Sequence, residues 1–296
     1  MKLVFKFLFA SCVMTSGLLF PAIILAAGAR VESMQMPAWV DRAGTRHPLK
    51  PGMELNPGDV LSTGDRARVS LIMDDGGMLK MGDNTSVNLV AMLPPVNESG
   101  SFETAIHVIK GAIRFSNVTA DQNRKRNIDV RIGEITASFR NADIRSSAAI
   151  DNDTLCLIEG AVSVQREGDT ALAMNDPFGL YMVTKNKPAV SVKQASKTDL
   201  AKWIAQTEPL PNEGTLGIDG LWAVNLMSFD SASATARAIQ RLTEAGYAAD
   251  IHNFSYQNRD WYRIRITHFK SEAGARAFAD RMDGRFGIHK PWVVKF

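Results

Sequence analysis

Trp222-Ala-Val-Asn-Leu-Met-Ser-Phe229 and Tyr262-Arg-Ile-Arg-Ile-Thr-His-Phe269 are two alternating apolar/polar runs of eight residues, each bounded by aromatic rings. Period-two alternation of this length predicts strands with one covered face. Each run is followed by a stretch with nearly the same core, Ala234-Thr-Ala-Arg-Ala-Ile239 and Ala273-Gly-Ala-Arg-Ala-Phe278, which predicts a helix. The first helix meets a stop at Gly246, and Ala248 to Phe254 reads as a further strand. The second ends near Gly284 to Gly287, and Trp292 to Phe296 reads as the last strand. The segment is therefore an internal repeat of order β-α-β-β-α-β, and such a chain favours a four-stranded antiparallel sheet with both helices on one face, a ferredoxin-like or RNP-like α+β arrangement.

Upstream the pattern changes. From about Val40 to Val192, short alternations are separated by turn residues every 8 to 12 positions, the signature of an all-β domain. Val69, Leu71 and Met73 alternate before Asp75-Gly76-Gly77, and Leu79 and Met81 resume beyond it, which predicts a hairpin. Ala105 to Ile109, Ala112 to Phe115, Ile128 to Ile132, Ile135 to Phe139, Thr154 to Ile158, Ala161 to Gln165 and Leu180 to Thr184 read as further strands. Ser196 to Gln206 reads as one short helix, with Leu200, Trp203 and Ile204 at helical spacing. Thr207 to Gly220, rich in Pro, Gly, Asn and Glu without periodicity, reads as a linker. The fold class expected is thus multidomain: an export signal over 1–29, a β-domain over 30–195, a helix and linker over 196–220, and the α+β module over 221–296.

The export signal rests on Lys2 and Lys6, an apolar run from Leu8 to Ala27, and the small residues Ala27-Gly28-Ala29 before Arg30. An uncleaved anchor is the competing reading, since about 20 apolar residues can span a bilayer. Only seven residues precede the run, too few for a regulatory tail on the other side. Removing Lys2 and Lys6 lowers the formal charge from +3 to +1, so nucleic acid is not expected as a partner. Cys12 falls inside the signal, leaving Cys156 between Leu155 and Leu157 as a core thiol without a disulfide partner. No catalytic residues, metal ligands or cofactors are expected. The five histidines, at 47, 107, 252, 268 and 289, form no ligand spacing, and the turns Asp74-Asp75 and Asp151-Asn152-Asp153 lack a calcium-loop pattern. Arg124-Lys125-Arg126 reads as a solvated loop tip.

The segment from about Leu221 to Phe296 resembles the SPOR family of peptidoglycan-binding domains, through Val224-Asn225-Leu226-Met227-Ser228-Phe229, Gly246-Tyr247, Tyr262-Arg263-Ile264-Arg265-Ile266-Thr267-His268-Phe269 and Trp292-Val293. Asn225 stands where the family usually has Gln, Met227 and Thr267 where it has Gly, and His268 where it has Pro. Leu49 to Val183 resembles the FecR-type extracytoplasmic β-domain, through Pro51-Gly-Met-Glu-Leu-Asn-Pro-Gly-Asp-Val-Leu-Ser-Thr-Gly64, Asp74-Asp-Gly-Gly77, Ile109-Lys-Gly111 and Leu157-Ile-Glu-Gly-Ala-Val162.

Strand alternation separates Val224 and Leu226 from Ala223, Asn225 and Met227, and Ile264 and Ile266 from Trp261, Arg263 and Arg265. If the aliphatic sides cover the helices, the open face carries amide, indole and guanidinium groups, the mixture a sugar polymer needs. The SPOR resemblance implies glycan-binding positions at Asn225, Ser228, Trp261, Arg263 and, on the closing strand, Trp292, to which Arg265 is added from strand parity. It also implies denuded glycan strands and enrichment at division septa. The expected protein is a non-catalytic periplasmic or envelope scaffold, with an envelope protein as partner of the β-domain and membrane contact only if the N-terminal segment is retained. The alternative is a periplasmic signal-sensing receptor that the C-terminal module merely localises; an accessory subunit of a wall hydrolase is a third reading.

Overall fold

The computed structural model describes residues 28–185, 187, 190–210 and 212–296. The export-signal reading of 1–27 lies outside them. Strands alternate with tight turns through β1 (Ala29–Gln35), β2 (Ala38–Arg42), β3 (Thr45–Pro48), β4 (Glu54–Leu55), β5 (Val60–Thr63), β6 (Arg68–Met73), β7 (Met78–Met81) and β8 (Ser86–Leu93). They continue through β9 (Phe102–Ser116), β10 (Arg126–Ile132), β11 (Ile135–Phe139), β12 (Ala142–Ala148), β13 (Asn152–Gly160), β14 (Val162–Arg166), β15 (Leu172–Met174), β16 (Gly179–Thr184) and β17 (Val190–Gln194). Then follow α1 (Lys197–Ala205), β18 (Leu216–Gly217), β19 (Trp222–Phe229), α2 (Ala232–Glu244), β20 (Asp250–Tyr256), β21 (Arg259–Phe269), α3 (Glu272–Met282) and β22 (Trp292–Lys295).

The protein is mostly β, with three helices among the described residues. From β1 to β17 the strands form a pair of layers that share β9. One layer runs β3-β2-β5-β8-β9-β10-β11-β14-β15, and the other β1-β6-β7-β9-β12-β13-β16-β17. Alternating residues of both layers, among them Val31, Leu61, Leu71, Leu79, Val87, Val108, Phe115, Val130 and Leu155, are withdrawn from water between them. The predicted hairpin is β6–β7, with Val69 opposite Met81 and Leu71 opposite Leu79.

Where the alternation suggested two strands over 105–115 there is one, β9, which changes layer at Gly111. Gly111 has φ +88, and a Cβ there would lie 2.3 Å from Thr85 Oγ1, so only glycine allows the strand to turn the corner. Gly28 and Ala29, expected as the end of the export signal, are built into the folded body. Gly28 N–H donates to Leu55 C=O (3.1 Å), and Ala29 is buried in β1 opposite Met73.

The stretch expected as a linker is fastened to the β-body at several of its described residues. Glu208 accepts from Lys80 Nζ (2.6 and 2.8 Å) and from Arg114 (3.2 Å), and the Gln35 amide donates to Leu210 C=O (3.2 Å) and Glu213 C=O (3.1 Å). β18 then pairs with β1 on one side and with the end of β21 on the other. Ahead of it, Trp203 of α1 lies over the Arg145 guanidinium (5.4 Å), which also donates to the Gln206 side chain.

The C-terminal strands run β22-β19-β21-β20, all antiparallel. Ser231 and Ser271 cap α2 and α3 by accepting from Ala234 N–H and Gly274 N–H. Both helices lie against β19 and β21, burying Ala238, Leu242, Phe278 and Met282 with Ile264 and Ile266. The α2 terminus closes in a Schellman motif: Gly246, φ +81, donates to Thr243 C=O, and Tyr247 N–H to Leu242 C=O. Gly246 also meets β2, since its carbonyl accepts from Ala38 N–H (3.2 Å). The Trp39 indole lies against it and donates from Nε1 to Glu244 C=O (3.2 Å).

Candidate glycan-binding face

On the sheet face away from α2 and α3, side chains directly opposite one another form three rows. Trp292, Asn225, Arg265 and Asp250 make the first, Ser228, Arg263 and His252 the second, and Trp261 and Phe254 the third. The Arg263 guanidinium carbon is 4.2 Å from the Phe254 ring centre and 5.2 Å from that of Trp292, so the cation is held between two aromatic faces. Ser228 Oγ accepts a long hydrogen bond from Arg263 Nε (3.4 Å). His252 stacks nearly parallel to Phe254, at 6.4 Å and 14°.

Two donors on this face have no partner in the protein. Trp261 Nε1 and Arg265 Nε are both shielded from solvent and unbonded. An unsatisfied buried donor costs about 1–3 kcal/mol, so each would gain from any oxygen that a small shift of its side chain let within reach. At the same end of the sheet Asn253, Ser255, Asp260 and Tyr262, which alternate to the side opposite Phe254 and Trp261, line with those two rings a shallow depression of about 290 Å³. Aromatic rims, guanidinium donors and shallow relief suit an extended polar ligand with apolar faces, and an enclosed small molecule poorly.

Strict alternation misplaces two residues. Leu226 is the extra residue of a bulge, as the register steps from Asn225 opposite Arg265 to Met227 opposite Ile264. Met227, expected beside Asn225, therefore packs against the core. The same bulge brings Ser228 onto the face of Asn225, where alternation alone would not place it. Asn225 itself, expected on open surface, is only 2% exposed because it lies between Trp292 and Arg265. Trp292 is 42% exposed at the edge of the sheet. Of the six expected residues, five thus lie at least partly accessible on one face, and the sixth lies beneath them.

Phe254 and His252 belong to this face and were missed as site residues. The signal was present in Gln257-Asn258. Both adopt positive φ (52° and 58°) in a two-residue hairpin turn, and counting back from it puts Phe254 opposite Trp261 and His252 opposite Arg263. A second bulge follows at His268, whose φ is +70° and whose Nδ1 lies 2.7 Å from Thr267 Oγ1. Among the described residues no cluster of three His, Cys, Asp or Glu side chains is placed to hold a metal.

Residues 59–163 match the family described as FecR protein, and residues 219–295 the family described as SPOR domain. A FecR domain is followed by a SPOR domain. Peptidoglycan binding follows from the SPOR domain, and both domains are non-catalytic binding or regulatory modules that point to the cell envelope. No curated protein matches the chain. Two crystal structures of a candidate anti-sigma factor from Parabacteroides distasonis are similar at TM-score 0.39. One is 14% identical and covers 68% of this chain and 96% of its own, and the other is 13% identical and covers 75% and 89%. At those scores the likeness decides neither fold nor function. Among the described residues no helix is long and apolar enough to cross a membrane.

Proposed function

We propose that the protein is an exported, non-catalytic envelope protein that binds the glycan strands of peptidoglycan through the face built by Ser228, Phe254, Trp261, Arg263, Arg265 and Trp292. The observation that carries this reading is the Arg263 cation held between Phe254 and Trp292, next to two shielded donors without partners. Sugar rings offer C–H faces to the aromatics, and acetamide and hydroxyl oxygens to Trp261 Nε1 and Arg265 Nε. Stem peptides would crowd so shallow a face, which favours strands from which they have been removed and hence septal wall. The FecR domain would engage an envelope protein.

The test uses the whole chain, since β18 pairs with both β1 and β21. Sacculi treated with amidase should retain the wild type and release most of a Trp261→Ala/Arg263→Ala double variant of unchanged circular dichroism. Equal retention of the two proteins refutes the proposed face. The FecR domain at 59–163 favours a second reading, a signal-sensing regulator that the SPOR domain only localises. In that case deletion of the gene would change transcription of a target before it changed cell shape or septation.

A further inference from the structure

The sequence from Leu8 to Ala27 is apolar, and Gly28 is already fastened into the β-body through Leu55 and Asp74, so no spacer separates the two. While that run remains attached, the surface around Gly28 is held at the bilayer by connectivity alone. The exposed groups there are unusual for a solvated β-turn region. A Cβ on Gly28 would overlap Met92, at the root of the β8–β9 connection, and Met92, Leu93, Pro94 and Phe102 line a hollow with Gly28 and the acidic pair Asp74-Asp75. Beyond that root Leu93 is 53% exposed and Val96 98% exposed, with Pro94 and Pro95 fixing the backbone between them.

Cations flank this apolar tip. Lys125 Nζ donates to Ser99 C=O (3.2 Å) within the same connection, and Arg124 donates to Asp74 C=O (2.9 Å). Arg124, Lys125, Arg126 and Arg140 line one hollow of about 460 Å³ with amide and hydroxyl side chains and no carboxylate. Arg126 is buried on Asp75 C=O, whereas Arg124, Lys125 and Arg140 are exposed. The nearby acids are exposed Asp74 and buried Asp75 beside Gly28, Asp121, 3.9 Å from Arg124, and Glu98 on the tip itself, so Arg124 is shared with Asp74 and Asp121 whereas Lys125 has no carboxylate partner among the described residues.

From these observations we infer that the tip from Leu93 to Val96 inserts into a lipid surface, with Arg124 and Lys125 on its anionic headgroups. Apolar side chains at the acyl boundary beside basic residues at phosphate depth are the arrangement by which proteins lie on membranes. This inference rests on the envelope location proposed above and is independent of glycan binding.

The test uses the full chain with Cys12→Ser, reconstituted into phosphatidylcholine vesicles with or without phosphatidylglycerol. A fluorophore is placed on Val96→Cys or, as a control, on Ile150→Cys. Ile150 is 88% exposed in the turn beside Ala148, which pairs with Gly111 at the layer-changing corner of β9. Quenching by spin-labelled lipid should be several-fold greater at 96 than at 150. It should fall when phosphatidylglycerol is omitted or when Arg124→Gln/Lys125→Gln is introduced. Continued burial of Cys156 against thiol reagents verifies that each variant is folded. Equal quenching at both positions overturns the inference, as does quenching at 96 indifferent to the anionic lipid and to the two cations. Sacculus retention measured on the same proteins keeps a failure here distinct from a failure of the glycan-binding face.

Discussion

Replacing Gly246 by alanine tests how firmly the SPOR domain is seated on the β-body. At φ +81° an L-residue carries left-handed strain of about 1–2 kcal/mol. The new Cβ would lie 2.6 Å from Trp39 Cε2 and 3.0 Å from Pro37 Cβ, so the indole must move. Its bond to Glu244 C=O then goes, a loss of about 0.5–1.5 kcal/mol, and strained packing adds about 1 kcal/mol. The expected total is about 3–4 kcal/mol. Gly284 supplies the control, since its φ is +76° and nothing lies within 4 Å of an added Cβ. Gly284→Ala should therefore cost only the strain, about 1–2 kcal/mol. At about 2–4 °C per kcal/mol for a chain near this size, Gly246→Ala should lower Tm several degrees further than Gly284→Ala. Equal shifts in calorimetry would show that Trp39 does not press on Gly246, and the described seating would be refuted.

Arg263→Lys keeps the charge but loses the planar group stacked on Phe254 and Trp292. Those two contacts, of about 0.5–1 kcal/mol each, lie within the protein, so the expected loss is about 1–2 kcal/mol of stability in urea melts, and an unchanged midpoint would contradict the stacking. Glu208→Gln leaves Lys80 without its charge partner and weakens the bridge to Arg114. For so partly buried a cluster the expected loss is about 1–2 kcal/mol in urea melts, smaller in high salt, and a salt-independent loss would contradict the bridge. Burial pushes the Cys156 thiol up to about 11, against the weaker opposing pull of Arg145. At pH 8 its thiolate fraction is then roughly a hundredfold below that of a free cysteine. Alkylation of the Cys156 peptide, followed by mass spectrometry, should be slow in buffer and fast in urea.

The order of elements in the last quarter was legible because two alternating strands and two alanine-rich helices repeat one pattern around Gly246. The face was legible only incompletely. Trp261, Arg263 and Arg265 followed from parity, but the bulge at Leu226 is a property of pairing with β21, and no periodicity announces it. Asn225 shows the same limit, because its burial depends on the lengths of its neighbours across the ladder. The run from Thr207 to Gly220 looked like a tether because its attachments are made singly, by Glu208, by the backbone of Leu210 and Glu213, and by Leu216 and Gly217. Each rests on a partner more than a hundred residues upstream.

That attachment has a mechanical side. Pull the C-terminal end away from the N-terminal end, and the load is shared by the two-residue β1–β18 ladder, the Ala38–Gly246 bond and the Trp39–Glu244 bond, a seam acting in parallel with the covalent chain. Once it gives, the 14 residues from Thr207 to Gly220 can extend to about 45 Å. Under low tension the protein would behave as a short stiff strut, and under high tension as a longer, slack leash.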